Sequence, residues 1–204
     1  MQLIYSKKPT HDYLIIDNWY SKEEEECVWK ELDFYQTFQL EKAEETVVAK
    51  KLDGEPLGKH FRIPLDKIYN KSTNFYSHIL KLSSKIQTKE FYEKLLEVNP
   101  TYGRNFSVTN YDYNLISYYE NTHYYEPHID AFLWTMLIWF YKEPKKFEGG
   151  ELLFTEKEIK IDLKHNRMIL FPSHFLHEVK PIKMKEEFDK GYGRYSITKF
   201  ITYR

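Results

Sequence analysis

From Asp112 onward the sequence is a series of short apolar runs cut by turn residues, and this texture limits the fold more than any other feature. The runs cover 112–120, 124–130, 135–142, 151–155, 159–163, 167–171, 178–182 and 195–202. Gly149-Gly150, His165-Asn166, Pro172-Ser173 and Gly191-Tyr192-Gly193 stand between them. Runs of about four to eight residues bounded by such punctuation read as strands. Eight of them with few helices between predict a double-sheet jelly roll. No repeat, low-complexity segment or linker asks for a second unit. The chain is therefore read as one domain over 1–204, with a strand and helical elaboration over 1–110 and a jelly-roll core over 111–204.

The first half has a different rhythm. Tyr13-Leu14-Ile15-Ile16-Asp17 is expected to be a strand. Ser21 and Glu24 have capping-box spacing, and Val28 and Leu32 give the following helix one apolar face. The acidic run 23–26 reads as a solvated first turn favoured by the helix dipole. Residues 41–60 are polar, with turn signals at Asp53-Gly54 and Gly58, and read as a loop or irregular hairpin. Phe75, Ile79 and Leu82, then Phe91, Leu95 and Val98, have helical spacing, and Asn99-Pro100 is expected to end the second helix. These helices should pack outside one sheet, giving an α+β, mostly β molecule.

One run carries chemistry. Tyr124-Tyr125-Glu126-Pro127-His128-Ile129-Asp130 holds a His-x-Asp pair. Residues i and i+2 of a strand share a face, so an imidazole and a carboxylate would stand side by side. With one more histidine they make the facial triad that holds a ferrous ion and leaves open positions. His174 and His177 are the late candidates for that place. His177 begins a strand while His174 sits in a turn, so His177 is taken as the ligand. The remaining histidines, His11, His60, His78, His123 and His165, lie in polar or loop contexts and are given no role. A 2-oxoacid could chelate the open positions, and its far carboxylate would need a cation. Arg194 suits this, because a guanidinium matches a carboxylate with two parallel donors. Arg194, Ser196, Thr198 and Phe200 would share one strand face.

Composition narrows the setting. Aromatic residues make up 18% of the chain, which argues for a folded core rather than disorder. A net charge of −1 provides no field for nucleic acid or anionic lipid. The lysines within 142–146 read as a solvated turn. Cys27 is the only cysteine, which fits a reducing compartment. Residues 1–8 lack the apolar region of a signal peptide, and the run 131–141 is too short to span a bilayer. A cytoplasmic protein is expected, with no membrane partner.

Tyr119, Tyr125-Glu126-Pro127-His128-Ile129-Asp130, Thr135-Met136-Leu137, Gly149-Gly150-Glu151, His177 and Arg194-Tyr195-Ser196-Ile197-Thr198-Lys199-Phe200 occur in an order that resembles the iron(II)- and 2-oxoglutarate-dependent dioxygenases. The resemblance is to their prolyl 4-hydroxylase-like group, and Ile16-Asp17-Asn18 is similar to that family's entry strand. It implies a double-stranded β-helix with His128, Asp130 and His177 as iron ligands. It also implies that Arg194 binds the distal carboxylate of 2-oxoglutarate, with Tyr119 or neighbouring Tyr118 bonded to the same group. Ser196 and Thr198 would line the cosubstrate pocket, and Tyr125 would touch the substrate. The implied reaction consumes Fe(II)-bound 2-oxoglutarate and O2, with ascorbate as a supporting reductant. It releases succinate and CO2 and hydroxylates a proline in a peptide or protein partner.

Three features depart from the family. Only 131–134 separates Asp130 from Thr135, so any lid must come from elsewhere, with 41–61 as the candidate. Phe200 stands where a tryptophan is usual, and a polar run at 183–190 lengthens the path from His177 to Arg194. Hydroxylation of a free amino acid, another small molecule or an alkylated base is the competing reading within the superfamily. A non-catalytic jelly-roll binding module is the competing reading outside it.

Overall fold

The structure, a computed structural model, describes residues 3–5, 13–38, 40–45, 48–185 and 190–204. His11, most of 1–8, part of the candidate lid (46–47) and the middle of the polar run (186–189) lie outside the described residues. In chain order the first half holds β1 (Leu3–Tyr5), β2 (Leu14–Asp17), α1 (Lys22–Tyr35), β3 (Glu41–Lys42), β4 (Gly58–Lys59), β5 (Phe61–Pro64), α2 (Leu65–Ile68), α3 (His78–Ser83), α4 (Lys89–Val98) and α5 (Pro100–Ser107). The second half is almost all strand: β6 (Tyr111–Tyr119), β7 (Tyr124–His128), β8 (Trp134–Phe140), β9 (Phe147–Glu148), β10 (Leu152–Phe154), β11 (Ile159–Ile161), β12 (Arg167–Pro172), β13 (His177–Val179), β14 (Lys183–Met184) and β15 (Arg194–Thr202). A large sheet has the order β1-β2-β12-β8-β15-β6-β5-β3, and a small sheet has the order β11-β10-β13-β7-β4. β9 and β14 form a separate ribbon.

The large sheet is buried on both faces, and strand alternation divides its side chains between two cores. On β8, Met136, Ile138 and Phe140 meet the helices, while Leu137 and Trp139 point between the sheets. On β12, Met168 and Leu170 take the helix side, and Ile169 and Phe171 the inner side. All seven residues of β8 are buried for this reason, although a solvent-facing strand would alternate with polar residues. Leu152, Phe154, Ile161 and Val179 of the small sheet close the inner core. The expected architecture, two sheets with N-terminal helices outside one of them, is the observed one.

The helices are held by specific devices as well as by apolar area. Ser21 caps α1 by accepting from the Glu24 amide at 3.3 Å, and the Glu24 carboxylate accepts from the Ser21 amide at 2.9 Å. Such a cap contributes about 1 kcal/mol. Val28 and Leu32 then face the core as their spacing predicts. Glu31 joins α1 to α3: its carboxylate accepts from Tyr35 Oη at 2.6 Å, Ser77 Oγ at 2.6 Å and the Ile79 amide at 2.9 Å.

Three local expectations need correction. Ser77 caps α3, so the helix begins after Phe75, which lies in a short 3-10 turn and is 62% exposed instead of sharing the buried face of Ile79. α4 ends at Val98 as Asn99-Pro100 led one to expect, but a further helix begins at the same point. Asn99 closes α4 and caps α5, and proline occupies the first turn of α5, where its missing N–H has no cost. The strand expected over 124–130 stops at His128, and the one expected over 178–182 is displaced to His177–Val179.

Candidate metal centre and its cavity

His128 and His177 face each other across the β7–β13 pairing, where they are register partners. Asp130 lies two residues past the end of β7, its amide donating to Ser173 O at 3.0 Å. The two sheet positions and this turn bring the donors together: one ligand atom from each of His128, Asp130 and His177 lies within 4.8 Å of the other two. His128 Nε2 is 3.8 Å from Asp130 Oδ1, and His177 Nε2 is 3.5 Å from Asp130 Oδ2. The three groups could hold a metal ion. His174, the rejected candidate, is exposed in the turn between β12 and β13.

The surrounding hydrogen bonds orient all three groups for that task. His128 Nδ1 is 2.8 Å from Glu126 O, and His177 Nδ1 is 2.8 Å from Phe175 O. A carbonyl only accepts, so each Nδ1 carries the proton and each Nε2 turns a lone pair toward Asp130. Burial lowers both imidazole pKa values to about 4, so both rings are neutral at neutral pH, the form in which an imidazole can bind a metal. Burial raises the Asp130 pKa against the opposing pull of His128 and of Thr135. Thr135 Oγ1 donates to Asp130 Oδ2 at 2.6 Å and is itself 2.8 Å from Ser173 Oγ.

The triad opens into a cavity of about 600 Å³ between the sheets. Arg194, Ser196, Thr198 and Phe200 of β15 all line it, as strand alternation predicts. Arg194 pairs with Tyr119 and Ser196 with Ser117 across to β6. This register puts the two tyrosines on opposite sides of the sheet. Tyr119 lines the cavity, while Tyr118 faces the helices and accepts from the amides of Gly191 and Gly193. The Arg194 guanidinium lies 4.8 Å from the centre of the Tyr119 ring and 5.6 Å from that of Trp139. Gly150, at φ +76°, makes room for its stem, since a Cβ there would stand 3.0 Å from Arg194 Cδ. Arg194 is fully buried, and burial pushes its pKa down while the nearby Tyr119 hydroxyl offsets part of that. Even so, no guanidinium nitrogen makes a well-formed hydrogen bond, and neither does Ser196 Oγ. A buried cation and hydroxyl left in this way are costly unless an anion engages them.

Toward solvent the wall becomes aromatic. Phe132 stacks on Phe200 at 4.8 Å, and Tyr113 on Phe200 at 6.3 Å. Val48 and Ala49, from the stretch named as candidate lid, line the same cavity, and Ile129 at its edge is 57% exposed. Tyr125 accepts from the Ala49 amide at 3.1 Å, and its ring lies against His128. His60 corrects the sequence reading. It was given no role, yet it is 2% exposed, lines the cavity and stacks on Tyr119. Arg62 lines the cavity as well. Neither residue belongs to a spacing motif, and Gly58, two residues before His60, is the nearest thing to a signal.

Comparison with known proteins now bears on the site. Residues 113–202 match the profile of the 2OG-Fe(II) oxygenase superfamily. That stretch, somewhat under half of the chain, carries the superfamily's pattern. No curated protein matches the chain by sequence. Among solved structures the chain is similar to a prolyl-4-hydroxylase of Pseudomonas putida, with a TM-score of 0.59 and 16% identity over 96% of this chain and 94% of that one. A Trichoplax adhaerens prolyl hydroxylase in complex with a hypoxia inducible factor peptide fragment gives a TM-score of 0.61 and 19% identity, over 94% of this chain and 83% of that one. A viral collagen prolyl hydroxylase of Paramecium Bursaria Chlorella virus-1, as its 2OG complex, gives 0.58 and 16% over 95% and 97%. These likenesses establish a prolyl 4-hydroxylase-like double-stranded β-helix. The superfamily implies Fe(II), 2-oxoglutarate and O2, and the donors fit them: two neutral imidazoles and a carboxylate for the metal, an unengaged buried guanidinium and hydroxyl for a carboxylate. Among the described residues, no helix is long and apolar enough to cross a membrane.

Proposed function

We propose that this chain hydroxylates a prolyl residue in a peptide or protein, using Fe(II), 2-oxoglutarate and O2. The observation that carries the oxidative part is the pairing of a His128, Asp130, His177 cluster at one end of a cavity with unengaged Arg194 and Ser196 at the other. In this reading His128 Nε2, Asp130 and His177 Nε2 hold the metal. Arg194, Tyr119 and Ser196 bind the distal carboxylate, and Thr198 lines the bed between. With O2, the bound metal and 2-oxoglutarate would supply the oxidising power that turns a C–H bond into C–OH with release of succinate and CO2. The chain's own residues orient and exclude water. Thr135 and Ser173 fix the Asp130 carboxylate, the carbonyls of Glu126 and Phe175 fix the imidazoles, and the inner core dries the wall. A reducing compartment such as the cytoplasm suits both a ferrous ion and the free Cys27.

The prolyl substrate is supported by the three neighbours named above, one of them bound to a peptide, and by the chain's Tyr125-Glu126-Pro127-His128 segment. An extended peptide could enter past Ile129 and Phe132, beside the short connection at 131–134, with only its proline ring reaching the metal. Proline-rich peptides are already extended, so binding them sacrifices little chain entropy. Tyr125, at the metal side of the cavity, is assigned to the substrate. The test incubates the enzyme with Fe(II), 2-oxoglutarate, ascorbate and a panel of proline-containing peptides, then maps any added oxygen atom by mass spectrometry. Turnover with a free amino acid or alkylated nucleotide and with no peptide would replace the prolyl reading. Absence of 2-oxoglutarate turnover with any substrate would leave a binding module.

A further inference from the structure

One wall of the cavity is a column of packed rings, two of its contacts stacked and the His60–Tyr125 contact tilted by 40°, that runs from one end of the site to the other. The Tyr125 ring lies 3.6 Å from the His128 ring, 18° from parallel. His60 lies 5.1 Å from Tyr125 and 4.7 Å from Tyr119, in the latter case 14° from parallel. The Arg194 guanidinium lies 4.8 Å from the Tyr119 ring. The column therefore begins at a metal-cluster histidine, ends at the buried arginine, and has His60 in the middle.

Chain topology explains why this member is singular. Gly58 of β4 pairs with Tyr125 in the small sheet, and Phe61 of β5 pairs with Tyr118 in the large sheet. His60 is thus the point where the chain passes from one sheet to the other, and its ring bridges them. Tyr125 and His128 ride on the small sheet, whereas Tyr119 and Arg194 ride on the large one. The fit is close: a Cβ on Gly58 would lie 2.8 Å from Tyr125 Cδ2 and 2.9 Å from His60 Cε1. His60 Nδ1 is buried without a hydrogen-bond partner, so packing rather than a polar contact holds the ring in place.

We propose that His60 is a positioning residue that sets the length of 2-oxo acid the cavity accepts, by fixing the distance between the metal cluster on the small sheet and Arg194 on the large one. The inference rests on the reading of this cavity as the 2-oxoglutarate site. A five-carbon diacid would then span the gap, and its six-carbon homologue, 2-oxoadipate, would not.

The test uses protein loaded with Mn(II), which binds without turnover. Calorimetry measures the affinity for 2-oxoglutarate and 2-oxoadipate in the wild type, His60→Ala, His60→Phe and Gly58→Ala, with melting temperatures taken alongside. His60→Ala should weaken 2-oxoglutarate binding by roughly tenfold, the scale of two lost ring contacts, and weaken 2-oxoadipate less, so that discrimination between the acids narrows. His60→Phe restores a flat ring of similar width and should keep the wild-type ratio within about threefold. Gly58→Ala pushes on the column from its other side and should also change the ratio, which keeps the test open if His60→Ala does not fold. Equal losses for both acids, an unchanged ratio in both His60→Ala and Gly58→Ala, or a phenylalanine variant no better than alanine would overturn the proposal. A wild type that binds neither acid would instead remove the cosubstrate reading, and this inference with it.

Discussion

Arg194 gives the sharpest energetic test, because the same side chain should destabilise the free protein and stabilise the loaded one. It is fully buried and its guanidinium remains charged, yet none of its nitrogens has a well-formed partner. Consider Arg194→Met, which keeps much of the stem packed near Gly150 and Trp139 but removes the charge. Replacing buried ionic groups by apolar ones of similar volume is often neutral or stabilising, by roughly 1–4 kcal/mol. The cosubstrate-free variant should therefore melt no lower than the wild type and by as much as several degrees higher, at about 2–4 °C per kcal/mol for a chain of this size. With Mn(II) and 2-oxoglutarate the wild type should gain on the variant by more than about 2 kcal/mol. Breaking a buried ion pair costs roughly 3–5 kcal/mol, or about two to nearly four powers of ten in affinity. At a cosubstrate concentration near 100 times its Kd, the wild type gains about 2.7 kcal/mol, while the variant gains nothing measurable. Thermal unfolding of both proteins with and without 2-oxoglutarate reads both effects. A variant that melts well below the wild type when free, and still rises normally with 2-oxoglutarate, would refute the argument.

Further outcomes follow from the same geometry. His177→Ala and Asp130→Ala should abolish tight Fe(II) or Mn(II) binding under anaerobic titration while His174→Ala keeps it; the reverse pattern would transfer the ligand role to His174. The depressed imidazole pKa values keep both rings neutral well below the ordinary histidine value of about 6.5, so an NMR titration of the metal-free protein should show neither ring taking up a proton between about pH 8 and 6. Protonation of Asp130, whose pKa burial raises, should weaken metal binding as pH falls. Either imidazole titrating near 6.5 would count against this. Away from the site, Arg167 holds Asp17 through Nε at 2.5 Å and Nη2 at 2.8 Å, and that bidentate bond lowers the Asp17 pKa. A lowered carboxylate pKa stabilises the fold above the unfolded value and loses that contribution as pH falls through the folded one. Asp17→Asn should then cost about 1–2 kcal/mol at pH 7, discounted for partial exposure, and progressively less as pH falls below the ordinary carboxylate range, measured by urea unfolding.

The strands after Asp112 were readable because glycine, proline and asparagine mark nearly every turn and the apolar runs are long enough to show. The two-residue strands β9 and β14 carry no such signal, since pairing alone defines them. α5 was hidden because Asn99-Pro100 ends one helix and begins the next, and a single sequence does not say which meaning applies. Among the site residues, spacing indicated that His128 and Asp130 would lie together, although the strand ends between them and the Ser173 carbonyl completes the geometry. Tyr118 and Tyr119 were indistinguishable until the register with β15 put one on each side of the sheet. His60 was unreadable for a different reason: its importance comes from a crossing between sheets, which leaves no periodicity.

β15 lies between β6 and β8 in the large sheet, pairing with both along most of its length. Those neighbours are made much earlier in the chain, so until residues 194–202 exist each has a bare edge, and β8 is apolar on both faces. Exposed edges of that kind invite pairing with other chains. Closure of the sheet is thus a late, non-local event of the sort that slows folding. The strand that closes it is also the one that brings Arg194 and Ser196 to the cavity. A chain interrupted before that point should be an aggregating fragment with no enclosed cavity.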